Sequence, residues 1–401
     1  MKIRKVSPIE RIQFNGISST VFLDTRRQDI RAQLQNPEEH IGDREHDDNC
    51  WGAFDEKGTL HSGFIINAYD MRMNGKDVKM GGVGAVITKP ESRGQGLVRK
   101  IYDYTFPIMI ERKQIFSFLY PFSYEYYRNF GYDICYSYNK INIPMECIVG
   151  YKYPRNITPY EPGDDMTPFI EMYEEFVRDR NLAIVRSKET WEYMLKRDPY
   201  LNLQFTYLNR DENGVPNAYV LYGQQKSGEY GNRLVIRELV WRTPQGLRDI
   251  FGFFSRLNEF GTVEWNAPCD FHVHAMFPEA YDLRWSVNGC GMNRIVDVKA
   301  GLETLRAPSG NGKIVVDVAD NYWQDNTAKY QIEWESGSLT VKKGVTTEPD
   351  LAVSVQTLAQ LVTGYLTPTE IALKKDTAIY GDIHVLESVF PKQRLYMLER
   401  F

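Results

Sequence analysis

Val86-Ile87-Thr88-Lys89-Pro90-Glu91-Ser92-Arg93-Gly94-Gln95-Gly96-Leu97 is the stretch on which the fold turns. A β-branched run ends at Thr88, and a loop with one proline and two glycines follows. Beyond Leu97, Val98, Ile101, Tyr102, Thr105 and Met109 recur at helical spacing. The first N–H groups of such a helix lack intrahelical partners and carry partial positive charge. Gly94 and Gly96 have no side chains to keep a pyrophosphate from those amides, and Arg93 adds a fixed charge. A ligand-free glycine turn shows the same bare pattern, so the neighbouring sequence has to decide.

Working outward, strands are expected near Trp51–Phe54, Leu60–Tyr69 and Val78–Thr88, separated by turns at Glu56-Lys57-Gly58 and Asn74-Gly75-Lys76. A helix should run from about Gly94 to Lys113, kinked or shortened at Pro107, and lead to a strand at Ile115–Tyr120. Ser7-Pro8 predicts a helix near the N-terminus. The acidic residues around 37–50 (Glu38, Glu39, Asp43, Glu45, Asp47, Asp48) read as a charged surface, or as an attractor for a polycationic amine.

The pattern recurs downstream. Strands at Leu203–Asn209, Pro216–Gln224 and Leu234–Trp241 precede Thr243-Pro244, a cap and first-turn proline. A helix with Leu247, Ile250, Phe251, Phe254 and Leu257 on one face follows, then a strand at Thr262–Asn266. Three strands, a helix and a strand thus occur twice, which suggests a weak internal duplication. Only Gly246 stands in the second strand-to-helix loop, so a coenzyme is not expected there. The last block alternates differently. Lys313–Ala319, Lys329–Trp334 and Ser338–Lys342 read as strands, and Val355–Tyr365 and Glu387 onward as helices.

The chain has 401 residues, of which 42% are hydrophobic and 25% charged, a soluble composition too long for one ordinary core. A net charge of -5 argues against general nucleic-acid binding. No apolar run is long enough to span a membrane, and the N-terminus lacks a secretory apolar segment. Five scattered cysteines without CxxC spacing fit reduced thiols in the cytoplasm. His272 and His274, two apart on an expected strand, have no evident third ligand, and His46 and Cys50, which flank Asp47 and Asp48 in a loose metal-like cluster, read as a solvated loop, so no metal is expected.

Arg93 to Val98 resembles the signature R/Q-x-x-G-x-G/A of the GNAT acyltransferases, with Val98 in place of the usual small residue. A bulkier residue there is similar to the Eis-type (enhanced intracellular survival) branch. Tyr126-Tyr127-Arg128-Asn129-Phe130-Gly131-Tyr132 resembles that branch's Y-x-x-F-G-Y motif, and the chain ends, as those chains do, in an aromatic residue, Phe401. Residues 348–355, 361–366 and 380–382 resemble sterol carrier protein domains. The resemblance implies an α/β and α+β architecture: a GNAT domain (1–146), a degenerate GNAT domain (147–290) and a sterol-carrier-like domain (291–401).

It implies acetyl-CoA as co-substrate, with no metal. Val86, Ile87, Thr88, Arg93, Gly94, Gln95, Gly96, Leu97, Val98, Phe122 and Ser123 would hold the coenzyme. Tyr127 would be the general acid and the Phe401 carboxylate the general base. The acceptor would be an amine such as an aminoglycoside, a lysine side chain or a polyamine. A homo-oligomer, often a hexamer, is implied as well. The other readings are a narrow small-molecule or peptide N-terminal acetyltransferase, and a lipid-binding or scaffold protein on a vestigial GNAT fold.

Overall fold

The computed structural model describes residues 1–23, 27–35, 49–196, 199–226, 231–277 and 281–400. Among these residues, thirteen strands join in one sheet. Its first part holds Lys2–Lys5, Cys50–Phe54, Leu60–Met73, Lys76–Thr88 and Phe116–Leu119 in neighbouring order. The helix Leu97–Glu111 crosses from Lys76–Thr88 to Phe116–Leu119, so these two strands run parallel.

The second part repeats this. Gln204–Arg210, Pro216–Gln225 and Asn232–Trp241 are followed by the helix Pro244–Phe254 and by Phe260–Pro268, which lies parallel to Asn232–Trp241. Two further strands fuse the halves. Asp133–Pro144 sits between Phe260–Pro268 and Arg284–Ile295, and Arg284–Ile295 in turn pairs with Phe116–Leu119. The end of each repeat therefore lies within the other's hydrogen-bonded neighbourhood, and the halves cannot separate without breaking ladder bonds. The division expected between residues 290 and 291 falls inside this single strand.

A separate five-stranded sheet comprises Ser338–Lys343, Ala328–Glu335, Gly312–Ala319, Leu351–Ser354 and Thr377–Ile379, in that order. Its Ile314, Val316 and Val318 share a core with Met71, Met80, Phe116 and Phe118 of the first sheet, with Val355 and Leu358 of the helix Val355–Thr363 between. The opposite face of the first sheet packs on the helix Leu97–Glu111. One face is thus closed by the C-terminal block and the other by the helix that opens on the glycine loop.

Several local expectations need correction. The first helix is Arg11–Val21 and is preceded by a strand, Lys2–Lys5. Ser7 and Pro8 form the turn before it, with the Ser7 hydroxyl donating to Glu10 at 2.7 Å. The helix after the glycine loop starts at Leu97, because Gly94 and Gly96 take left-handed φ values of 75° and 68°. It continues through Pro107 to Glu111, so one missing N–H did not end it. The helix expected from Glu387 stops at Val389, and the chain beyond is extended. His272 precedes a short helix, Val273–Met276, and shares no strand with His274. His46 and the acidic residues from Glu38 to Asp48 lie outside the described residues; Cys50 is buried in a strand.

Candidate active site

The strand Lys76–Thr88 pairs with Phe116–Leu119 from Met80↔Phe116 to Val83↔Leu119, and there the parallel ladder ends. On its other edge the strand remains paired with Leu60–Met73 as far as Ser62↔Thr88. Register shifts between Gly63 and Ile65, and Ala85 on the facing strand has φ 48°. This bulge bends the strand where its parallel partner leaves. Past Leu119 the shorter strand has ended while its neighbour runs on to Thr88, and the edge left beyond this pairing, on the side leading to the glycine loop, forms a wedge.

Alternation decides which backbone groups face the wedge. The Lys89 amide donates to the His61 carbonyl, and the Ile87 carbonyl accepts from the Ser62 hydroxyl at 2.8 Å. Residues 87 and 89 thus turn their peptide groups toward the antiparallel partner, whereas Val86 and Thr88 turn theirs toward the wedge. The Ile87 side chain packs with Val6, Phe14 and Ile17, so it supports the sheet and does not line the wedge. Thr88 Oγ1 is 2.8 Å from Ser62 Oγ.

Across the wedge mouth lies the glycine loop. Gly96 occupies the cap position of the helix, and no side chain caps it. A Cβ placed on Gly94 or Gly96 would meet nothing within 4 Å, so the space beside both is open, and their positive φ is what favours glycine. Arg93, Gln95, Arg99 and Lys100 are exposed around this end. Arg99 and Lys100, in the first helical turn, belong to the cationic rim and escaped the motif reading because they lie beyond the signature.

A brace under the loop was also missed. His61 Nδ1 lies 2.8 Å from the Ser92 hydroxyl, and its Nε2 lies 3.3 Å from Asp55 Oδ2. The Thr59 amide, then His61 and the Lys57 amide, hold the Asp55 carboxyl down to about 2. Ser92 is buried, so this Ser–His–Asp chain offers no hydroxyl to a substrate. It fixes the start of the loop instead. Ser92 and His61 are 31 residues apart, and only strand register brings them together.

Tyr127 lies in the helix Tyr124–Arg128, which Ser123 caps by accepting from the Tyr126 amide at 3.3 Å. Its ring joins Val83, Leu97, Val98 and Leu119 in one core cluster, with Val86 packed against it. The sequence motifs at 86–98 and 126–132 therefore converge on one place. Burial, with Tyr126 and Tyr132 nearby, pushes the Tyr127 phenol well above its ordinary value, so it is a protonated donor at neutral pH. Among the described residues, no hydrogen bond engages its hydroxyl. Phe122 is 72% exposed, with its ring 5.4 Å from that of Tyr127. Gly131 (φ 82°) closes the motif. A Cβ there would lie 1.9 Å from Arg294, which donates to the Phe130 carbonyl and pairs with Asp320 at 2.6 Å.

The C-terminal strap arrives at the same end. Arg394–Leu395 pairs in parallel with Arg180–Asn181, and the Tyr396 amide donates to Asn181. Tyr396 and Met397 are buried. The Tyr120 hydroxyl donates to the Glu399 carbonyl at 2.9 Å, immediately after the strand that bounds the wedge. Phe401 lies outside the described residues.

The second repeat has no comparable loop. The Thr243 hydroxyl caps Gly246 at 3.2 Å and donates to the Asn217 side chain, while Pro244 has no N–H to offer. A cleft of about 350 Å³ beside it is walled by Trp241, Leu247, Phe271 and Met276. The helix start there is thus capped by a side chain, unlike the one at Gly96.

Comparisons agree with this layout. Residues 2–135 match the acetyltransferase (GNAT) domain family, residues 182–295 match a second acetyltransferase (GNAT) domain family, and residues 298–398 match the sterol carrier protein domain. The chain is therefore a tandem GNAT protein with a sterol carrier protein domain, and its fold is that of acyl-transferring enzymes. A GCN5-related N-acetyltransferase from Anabaena variabilis superposes with a TM-score of 0.84 at 21% identity, covering 100% of both chains. A probable N-acyltransferase from Enterococcus faecalis gives 0.80 at 19%, covering 98% of this chain and 97% of its own. Eis1 from Mycobacterium abscessus gives 0.76 at 17%, covering 100% of both, so the whole chain has the Eis1 fold. No curated protein sequence matches. Among the described residues, no helix is long and apolar enough to cross a membrane, and no group of three His, Cys, Asp or Glu could hold a metal.

Proposed function

We propose that the chain is an Eis-type N-acetyltransferase that moves an acetyl group directly from acetyl-CoA to an amine. The observation that carries this reading is the wedge: the parallel ladder stops at Val83↔Leu119 beside an uncapped helix start. The Val86 and Thr88 peptide groups would bond the pantetheine arm like a missing strand. The amides from Gly94 to Val98 would grip the pyrophosphate, with Arg93, Arg99 and Lys100 supplying charge. Phe122 and Ser123 would contact the coenzyme beyond the strand.

Attack of the amine nitrogen on the thioester carbonyl forms the C–N bond, and loss of the C–S bond follows. Tyr127 would give its proton to the departing thiolate, and the Phe401 carboxylate would take one from the amine. An ordinary α-carboxyl titrates at about 3.3–3.7, so the amine must arrive largely neutral, or the carboxylate must be desolvated. Residues 1–146, 147–290 and 291–401 then divide the labour as coenzyme domain, degenerate repeat and C-terminal scaffold. Arg284–Ile295 is lent to the first sheet. A homo-oligomer goes with this reading.

Calorimetric titration with acetyl-CoA tests it. Binding in the micromolar range is expected. Binding no tighter than millimolar would favour the lipid-binding or scaffold reading. A panel of aminoglycosides, polyamines and lysine peptides, followed by thiol release, identifies the acceptor.

A further inference from the structure

Arg186 follows the short strand Ile184–Val185, and its side chain is 1% exposed. It donates through Nη1 to Glu238 Oε1 at 2.9 Å, through Nη2 to Glu238 Oε2 at 2.5 Å, and through Nε to Glu399 Oε1 at 2.6 Å. The Tyr219 hydroxyl donates to the same Glu238 oxygen at 2.5 Å. The Tyr173 and Trp191 rings cover the guanidinium at 3.8 and 4.8 Å. Glu238 lies mid-strand in Asn232–Trp241 of the second repeat, whereas Glu399 belongs to the strap. Glu399 is thus held twice: its side chain by the second repeat, its carbonyl by Tyr120 of the first.

Burying one cation with two carboxylates carries a large desolvation cost, and an apolar filling would be no less stable. What the ions add is direction. A planar guanidinium offers N–H groups along fixed lines, so each carboxylate has one place to sit. An apolar plug would give the Glu399 end of the strap no such direction.

We propose that the second repeat, having no coenzyme loop, serves as a latch, and that Arg186 is the positioning residue that holds the strap in register at the mouth of the wedge. The latch rests on the reading of the wedge as the transfer site.

The test uses the full chain with Arg186→Lys, which keeps charge and loses the fork, and Glu399→Gln, which keeps shape and loses charge. Acetyl-CoA affinity should stay within about twofold, while kcat falls between about tenfold and a hundredfold, the scale of a misplaced reacting group. Amides 395–399 should exchange faster, with those of Asn232–Trp241 unchanged. In a chain lacking Arg400 and Phe401, Arg186→Lys should have no further effect on kcat. Wild-type kcat in both variants, or coenzyme affinity falling in step with kcat, would overturn the latch. If Arg186→Lys does not fold, Glu399→Gln and Tyr219→Phe carry the same measurements. Loss of residues 400–401 without loss of turnover would overturn the terminal base instead, and exchange at 395–399 would then still decide the latch.

Discussion

The Tyr120 hydroxyl donates a 2.9 Å hydrogen bond to the main-chain carbonyl of Glu399, joining the end of the wedge strand to the last residues of the chain. Adding a few residues after Phe401 should therefore silence transfer without unfolding the protein. Thiol release together with a thermal melt checks this. Full turnover in the extended chain would remove the terminus from the chemistry.

Tyr127→Phe should lower kcat by about 10² to 10⁴, the contribution of a positioned general acid, with acetyl-CoA affinity nearly intact. Because burial raises the phenol above its ordinary value, the donor form persists as pH rises. The wild-type kcat profile should show no alkaline fall from this group up to about pH 10, the ordinary phenol value. Equal kcat in the two proteins would retire Tyr127.

Arg93→Ala should weaken acetyl-CoA binding by about tenfold, the worth of a charge-assisted contact, and leave binding of S-acetylpantetheine unchanged. Calorimetry with both ligands separates the phosphate contribution from the pantetheine arm. Equal losses for both would mean that Arg93 acts through the fold.

Gly131→Ala should destabilise the chain by at least about 2 kcal/mol, since a left-handed φ is imposed and a methyl would collide with Arg294. A urea midpoint shift measures it. Unchanged stability would mean that Arg294 moves aside freely.

Hydrogen bonds from Arg4, then from Ser7, hold the Glu10 carboxyl down to about 2, against an ordinary 4.5. A lowered folded value means that the stabilisation is complete above pH 4.5 and is lost as pH falls toward 2. Glu10→Gln should be less stable than wild type at pH 7, and the difference should vanish near pH 2. Denaturant midpoints at several pH values follow it. A constant difference would exclude this linkage.

Period and punctuation in the sequence located most elements of both repeats and the small C-terminal sheet, because the side-chain pattern and turn residues that signal them are local. Pro107 does not end its helix, because a single missing donor is cheap when Ile101, Tyr102, Phe106 and Met109 bury one helix face. Which face the Ile87 side chain takes was not legible, because adjacent strand residues face opposite ways and the bulge at Ala85 leaves no mark in sequence. The strands Asp133–Pro144 and Arg284–Ile295 are absent from the sequence reading, and their places in the sheet depend on long-range pairing.

By itself, the sequence determined the glycine loop, the helix behind it and the strand–helix order of each repeat, since each rests on local pattern. Tertiary structure alone decided that the ladder parts after Val83, that His61 braces Ser92, and that Glu399 comes to rest between Tyr120 and Arg186. Those contacts join residues tens to hundreds apart. Which partners meet is fixed by how whole faces pack, and no local pattern encodes it.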